Sequence, residues 1–381
     1  MSAWPGKYVI GLTGNIATGK SVVRRMLEHL GAYGIDADAL THRAMAKGAP
    51  AYDPILQHFG KWILAPDGQI DRTKLGRIAF ADPEALKQLE NIIHPFVRQA
   101  IDVLIRRATQ PVIVIEAIKL LEGGLSEMGD SVWVVQATPE AQAARLMQKR
   151  GLTEAEARAR IMAQSPQADK IKAAKVVINN DGSFETSWQQ VLNAWNAIGA
   201  KTTEPEPEPA AEPEKIEPGQ LLVQKAGPKQ AEEIAAFITK YNKEKKQVTR
   251  GEIMAAFGER AYMLILRDKT LIGLVGWQVE NLVARVVEFY LDPRLSLTDA
   301  APALMAEVEK AARQLQSEAA LLFLPVDLAR HDGLWKSLGY EKRDAESLGV
   351  RAWEEAARES YIDGSEMLFK QLRVDRVLRP I

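Results

Sequence analysis

Along the first half of the chain, short apolar runs alternate with stretches in which apolar residues recur every three or four positions. The runs are Tyr8 to Thr13, Tyr33 to Ile35, Pro111 to Ile115, Val132 to Val135 and Val176 to Ile178. That alternation predicts a parallel sheet with helices on both faces. The run from Ser21 to Leu30 carries helical spacing, as do Ala51 to Phe59 and Asp82 to Arg107, which form a long helical insertion between the second and third strands. Further helices are expected from Glu140 and around Arg158 and Arg160. Within the insertion, His94-Pro95 is expected to interrupt a helix, because proline has no N–H to give the preceding turn.

The pattern breaks at 201–218, KTTEPEPEPAAEPEKIEP, where proline alternates with glutamate. Proline favours the extended polyproline conformation and the glutamates repel, so the segment reads as a semi-rigid linker of up to about 50 Å. It divides the chain into domains 1–200 and 219–381. The second domain predicts strand Leu221 to Lys225, helix Lys229 to Tyr241, strands Tyr262 to Arg267, Leu271 to Trp277 and Val283 to Leu291, and helix Thr298 to Leu315. A strand at Ala320 to Leu324 and a helix ending in Leu334 to Tyr340 follow.

Directly behind the first apolar run stands Gly14-Asn15-Ile16-Ala17-Thr18-Gly19-Lys20-Ser21, a GxxxxGKS phosphate-binding loop in its required strand, loop, helix context. Gly14 and Gly19 allow positive φ, so that successive amides turn inward on phosphate oxygens at a helix N-terminus. Lys20 brings a charge to the β and γ phosphates of ATP, and the Ser21 hydroxyl is placed to ligate Mg²⁺. In a parallel sheet the ligand lies at the carboxyl ends of the strands. Polar residues just past each run are therefore candidates. Asp36 and Asp38 follow the second run, two carboxylates at the mouth of the sheet that can orient an alcohol, accept its proton or help hold Mg²⁺; a cap on the following helix is the alternative for either one singly. Glu116 closes the third run, where it can reach the Mg²⁺ hydration shell. Arg145, Lys149, Arg150, Arg158 and Arg160 are candidates to close over the phosphates, Arg145 first.

Composition narrows the class. The 381 residues are 46% hydrophobic and 26% charged with net charge -1, so no global field draws the chain to nucleic acid or an anionic membrane. No cysteine is present, which removes thiolate metal sites and cysteine nucleophiles. The first apolar run is too short for a signal core or a membrane span, and the chain reads as cytoplasmic. There is no NKxD sequence for reading guanine. A small-molecule kinase remains.

The residues resemble the dephospho-CoA kinase family over most of 8–198. The resemblance rests on the loop with its preceding GLT, on IDAD at 35–38, GAP at 48–50, HFG at 58–60, DG at 67–68, FADP at 80–83, HP at 94–95, LLE at 120–122 and VINNDG at 177–182. It implies a phosphate-loop kinase with helical acceptor and lid insertions, passing the γ-phosphate of ATP to the ribose 3′-hydroxyl of dephospho-CoA. It further implies Asp38 as base, Gly14 to Ser21 as the ATP cradle and Arg145 as a lid residue. Members commonly carry Asp, one residue, then Pro-Leu-Leu after the third strand, whereas this chain has Glu116-Ala117-Ile118-Lys119-Leu120-Leu121. Two other readings stay open: a kinase of another alcohol or nucleotide, and a nucleotide-sensing scaffold without transfer.

The second half, closing on LWKSLGY and MLFKQL, resembles the Gcn5-related N-acetyltransferase fold over 219–375. Active members hold a pyrophosphate on a basic, glycine-containing loop before the long helix. Here that stretch is Asp292-Pro293-Arg294-Leu295-Ser296-Leu297-Thr298-Asp299, without glycine and with Asp299 expected to cap the helix. A degenerate binding or docking module is expected.

Overall fold

The computed structural model describes residues 3–199, 220–242 and 246–374. The Pro/Glu-rich segment 201–218 lies outside them. By compactness the described residues fall into two units, 3–20 with 32–181, and 21–31 with 182–374. No helix among the described residues is long and apolar enough to cross a membrane.

The first half runs β1 (Tyr8–Thr13), α1 (Lys20–His29), β2 (Tyr33–Asp36), α2 (Ala37–Ala44), α3 (Tyr52–Phe59), α4 (Arg72–Ala81), α5 (Pro83–Arg107) and β3 (Val112–Glu116). It continues with β4 (Ser131–Gln136), α6 (Pro139–Arg150), α7 (Glu154–Met162), α8 (Gln167–Ala173), β5 (Val176–Asn179) and α9 (Phe184–Ala197). The five strands are parallel in the order β2-β3-β1-β4-β5. Every residue of β3 is buried, and all of β1 after Tyr8, which is why these strands read as unbroken apolar runs: neither face is wet. The register sets Leu12 and Asp36 on either side of Glu116, so Thr13, Asp36 and Glu116 end together at the edge from which residues 14–19 depart.

The expected interruption at His94-Pro95 does not occur. Helix α5 continues through Pro95 for 25 residues. Its buried stripe of Ile93, Val97, Ala100, Ile101, Leu104 and Ile105 explains this. Each large aliphatic contributes about 1.5–3 kcal/mol on burial, and together they outweigh the roughly 3 kcal/mol cost of an internal proline.

The second half runs β6 (Leu221–Lys225), α10 (Ala231–Tyr241), α11 (Arg250–Ala256), β7 (Ala261–Arg267), β8 (Thr270–Glu280), β9 (Val283–Leu291) and α12 (Leu297–Gln314). Then come β10 (Ala319–Pro325), α13 (Val326–Ala329), α14 (Asp332–Ser337), β11 (Glu341–Lys342), α15 (Arg351–Glu359) and β12 (Ser365–Gln371). The sheet order is β11-β12-β10-β9-β8-β7-β6, antiparallel except for the β9–β10 pair, which α12 connects as a crossover. Alternation along β10 sends Leu322 and Leu324 to the α12 side and Leu321 and Phe323 to the α15 side. Helix α15, which the sequence pattern did not announce, buries Trp353, Ala356 and Ala357 against that second face.

Asp299 does not cap α12. Ser296 does, accepting the Thr298 N–H at 3.2 Å, while Asp299 sits in the first turn. Asp292 instead anchors the loop, accepting the Tyr241 hydroxyl at 2.6 Å and the Arg294 guanidinium at 2.6 and 2.9 Å. The Arg294 bonds, followed by that from Tyr241, hold the Asp292 carboxyl well below the usual carboxylate range. A depressed folded pKa contributes stability above the unfolded value that disappears as pH falls through the folded one. Asp292→Asn is accordingly expected to cost about 2 kcal/mol at neutral pH. In thermal melts the gap between variant and wild type should close below the ordinary carboxylate range, and a gap that persists unchanged into strong acid would contradict the assignment.

Candidate active site

The phosphate loop closes around its two glycines. Gly14 has φ +154°, and a Cβ there would lie 2.3 Å from the Val135 carbonyl oxygen. Gly19 has φ +92°, and a Cβ would fall 2.0 Å from the Asn180 side-chain nitrogen. Side chains are thus excluded by contact as well as by backbone angle. Ala17 also takes a positive φ of 56°. Thr18 is buried and its hydroxyl donates to the Asn15 carbonyl at 2.9 Å, tying the turn across its base.

Lys20 is buried, and its ammonium donates to the same Asn15 carbonyl at 3.1 Å. Burial lowers its pKa, while Glu116 and Asp38 counter the loss by raising it. Ser21 follows as the second residue of α1. The helix therefore presents its first turn to the loop, with the positive end that an anion favours.

The two aspartates part company. Asp36 caps α2, accepting the Ala39 N–H at 2.8 Å. Asp38 accepts the Ile118 N–H at 3.1 Å, reaching across to the segment that follows β3. Burial raises the Asp38 pKa, opposed by the Ile118 N–H and then by Lys20, with Glu116 adding to the rise. Glu116 is 5% exposed at the end of β3. Lys20, Asp38 and Glu116 thus form one electrostatically coupled cluster beside the loop. Carboxylate and hydroxyl oxygens are the donors that Mg²⁺ prefers, so Glu116 and Ser21 suit that ion chemically.

Arg145 meets the loop from α6. Its guanidinium donates to the Ala17 and Thr18 carbonyls at 3.1 and 3.3 Å and to the Asn180 carbonyl. Ile16 and Ala17 pack in turn against Leu146 and Ala157, so α6 and α7 rest directly on the loop. The other basic candidates do not join the site. Lys149, Arg150, Arg158 and Arg160 are exposed, and Arg158 pairs with Glu154 at 2.8 Å. Lys119 pairs with Glu90 at 2.9 Å, and His94 lies half-buried near Gly123.

Four residues join the site that the motif reading passed over. The side-chain oxygens of Gln164 and Gln167 accept the Ile16 and Asn15 amides at 2.6 and 3.2 Å. The Asn180 amide donates to the Thr18 carbonyl at 2.8 Å, and Lys170 is buried with its ammonium 2.7 Å from the Ile118 carbonyl. Asn180 lies within the VINNDG motif, which is a signal that points to it. A buried lysine and two glutamines have no local pattern to betray them.

A parallel sheet carrying a phosphate loop, a buried lysine and a partly buried aspartate at its carboxyl edge defines a phosphate-loop nucleotide-using enzyme. The model of the family described as dephospho-CoA kinase matches residues 8–186. The dephospho-CoA kinase of Geobacter sulfurreducens is 44% identical over 190 residues, covering 49% of this chain and 96% of that protein. Its counterpart in Symbiobacterium thermophilum is 43% identical over 201 residues, 52% of this chain and 84% of that protein. The chain belongs to the dephospho-CoA kinase family. Over the other part of the chain, the solved PaiA N-acetyltransferase of Thermoplasma acidophilum aligns at 12% identity, covering 40% of this chain and 99% of that one with a TM-score of 0.29.

Gly19→Ala tests the cradle. An L side chain at that φ costs about 1–3 kcal/mol and must also displace Asn180, so ATP affinity is expected to fall by about tenfold or more. Isothermal titration with a non-hydrolysable ATP analogue reads the change, and unaltered affinity would count against the loop as the nucleotide site.

Proposed function

We propose that the first half of the chain, 1–200, phosphorylates the ribose 3′-hydroxyl of dephospho-CoA with ATP and Mg²⁺, giving coenzyme A and ADP. The observation that carries the reading is the sorting of the two carboxylates. Asp36 is spent on a helix cap, while Asp38, partly buried and within the field of Lys20, is oriented by a backbone N–H and left with oxygen available for an alcohol. Asp38 orients the 3′-hydroxyl and takes its proton as the oxygen bonds to the γ-phosphorus; the bridging P–O bond breaks and its electron pair leaves with ADP. Residues Gly14 to Ser21 hold the phosphates, and Lys20 stabilises the charge that develops on them. Arg145 couples the lid to this loop. Ser21 and Glu116 would hold Mg²⁺, which would supply positive charge to the phosphate oxygens.

The raised Asp38 pKa suits this role, since a base is most effective when its pKa approaches the working pH. Dependence on ATP fits a cytoplasmic location, and small molecules rather than nucleic acid or membrane are the partners. Residues 219–381, joined through the linker 201–218, are an acetyltransferase-like module without a working pyrophosphate loop. Arg294, the basic residue of that loop, is committed to Asp292, and Pro293 has no N–H to offer.

ADP release in a coupled assay separates the readings. It is expected with dephospho-CoA and not with nucleosides or pantothenate derivatives. Release with another acceptor replaces the substrate, and binding without turnover replaces the enzyme. Lys20→Ala should impair ATP use, whereas Asp38→Asn should bind ATP normally and turn over about 100-fold or more slowly. A wild-type rate in Asp38→Asn would remove it as the base.

A further inference from the structure

Helix α8 buries one residue completely, and that residue is a lysine. Lys170 is 3% exposed in a seven-residue helix whose other members stay partly or fully in solvent. A buried lysine is rare unless its charge is matched. Here the ammonium donates to the Ile118 carbonyl at 2.7 Å and lies 3.8 Å from the Glu122 carboxylate. The Thr13 hydroxyl, at the end of β1, donates to the same carbonyl at 3.1 Å. The N–H of that same residue, Ile118, is the group that holds Asp38 at 3.1 Å. Both torsions of Ile118 are therefore restrained, one side by Lys170 and Thr13 and the other by Asp38.

Ile118 stands in the stretch Glu116-Ala117-Ile118-Lys119, just past the end of β3. In this chain two side-chain donors pin the carbonyl of Ile118 in its place. Electrostatics agrees with the geometry: burial lowers the Lys170 pKa, and Glu122 and Asp38 are the charges that restore it.

We infer that Lys170 is a positioning residue for phosphoryl transfer, clamping Ile118 so that its N–H aims the Asp38 carboxylate at the acceptor hydroxyl. The assignment rests on the reading of Asp38 as base. A shift of about 1 Å in a reacting group can cost about 100-fold in rate, so a clamp at one remove from the chemistry has leverage.

The test is a double-mutant cycle on the full chain, with kcat and the KM for ATP measured for each variant. Lys170→Met, near in shape and without charge, is expected to lower kcat about 10- to 100-fold while the KM for ATP changes less than about threefold. In an Asp38→Asn background the same change should cost nothing further, because the clamp has nothing left to aim. Lys170→Arg, which keeps donor and charge, should restore kcat to within about fivefold of wild type. It remains informative if the methionine variant is unstable. An unchanged kcat in Lys170→Met, an additive loss in the Asp38→Asn background, or a loss that falls on the KM for ATP would overturn the inference. Failure of the base assignment itself is separately visible, as a wild-type rate in Asp38→Asn alone.

Discussion

The active half of this protein depends on one steric constraint: at the carboxyl edge of β1 the chain must turn so tightly that only hydrogen fits at two positions. At Gly14 the neighbouring strand β4 presents a carbonyl where a Cβ would stand, and at Gly19 the obstruction is the Asn180 amide beyond β5. The loop is thus shaped from outside by β4 and β5 and from within by Thr18 and Lys20, which both donate to Asn15. Amides that would otherwise join secondary structure are freed to face an anion. Buried N–H groups need acceptors, and in this conformation two glutamine oxygens serve.

From that turn the chemistry of the neighbouring strand ends follows. Parallel register brings Asp36 and Glu116 level with the start of the loop, and the step from strand to helix after Asp36 rotates Asp38 away from its neighbour. One carboxylate satisfies the orphan amides of α2, while the other is drawn to Ile118. Burial makes the ionised form of Asp38 less favourable, and the buried Lys20 offsets that. The cluster is a set of opposed charges that stabilise one another in a place water barely reaches.

In the second half the described sheet has one parallel pair, β9–β10, bridged by α12. The loop before α12 is tied together by its own side chains. Its acidic residue and its arginine satisfy each other, and Ser296 takes the capping role at the helix start. A loop so engaged is held by its own bonds. Meanwhile α15 covers a face of the sheet that β9, β10 and β12 would otherwise leave open.

The five parallel strands were legible because two-sided burial demands unbroken apolar runs, and the phosphate loop because Gly14, Gly19, Lys20 and Ser21 each answer a local requirement. Arg145 and Asp38 were legible as candidates, from their place after a strand or on a helix. Tertiary structure alone decided which aspartate caps, that α5 runs on through Pro95 with its stripe buried, and that from a stretch with no motif of its own Gln164 and Gln167 reach the loop while Lys170 reaches Ile118. The reason is physical. Backbone angles and strand burial act between neighbours in the chain, whereas the partners of Lys170, Asp38 and Gln164 lie 52, 80 and 148 residues away, which no local pattern encodes.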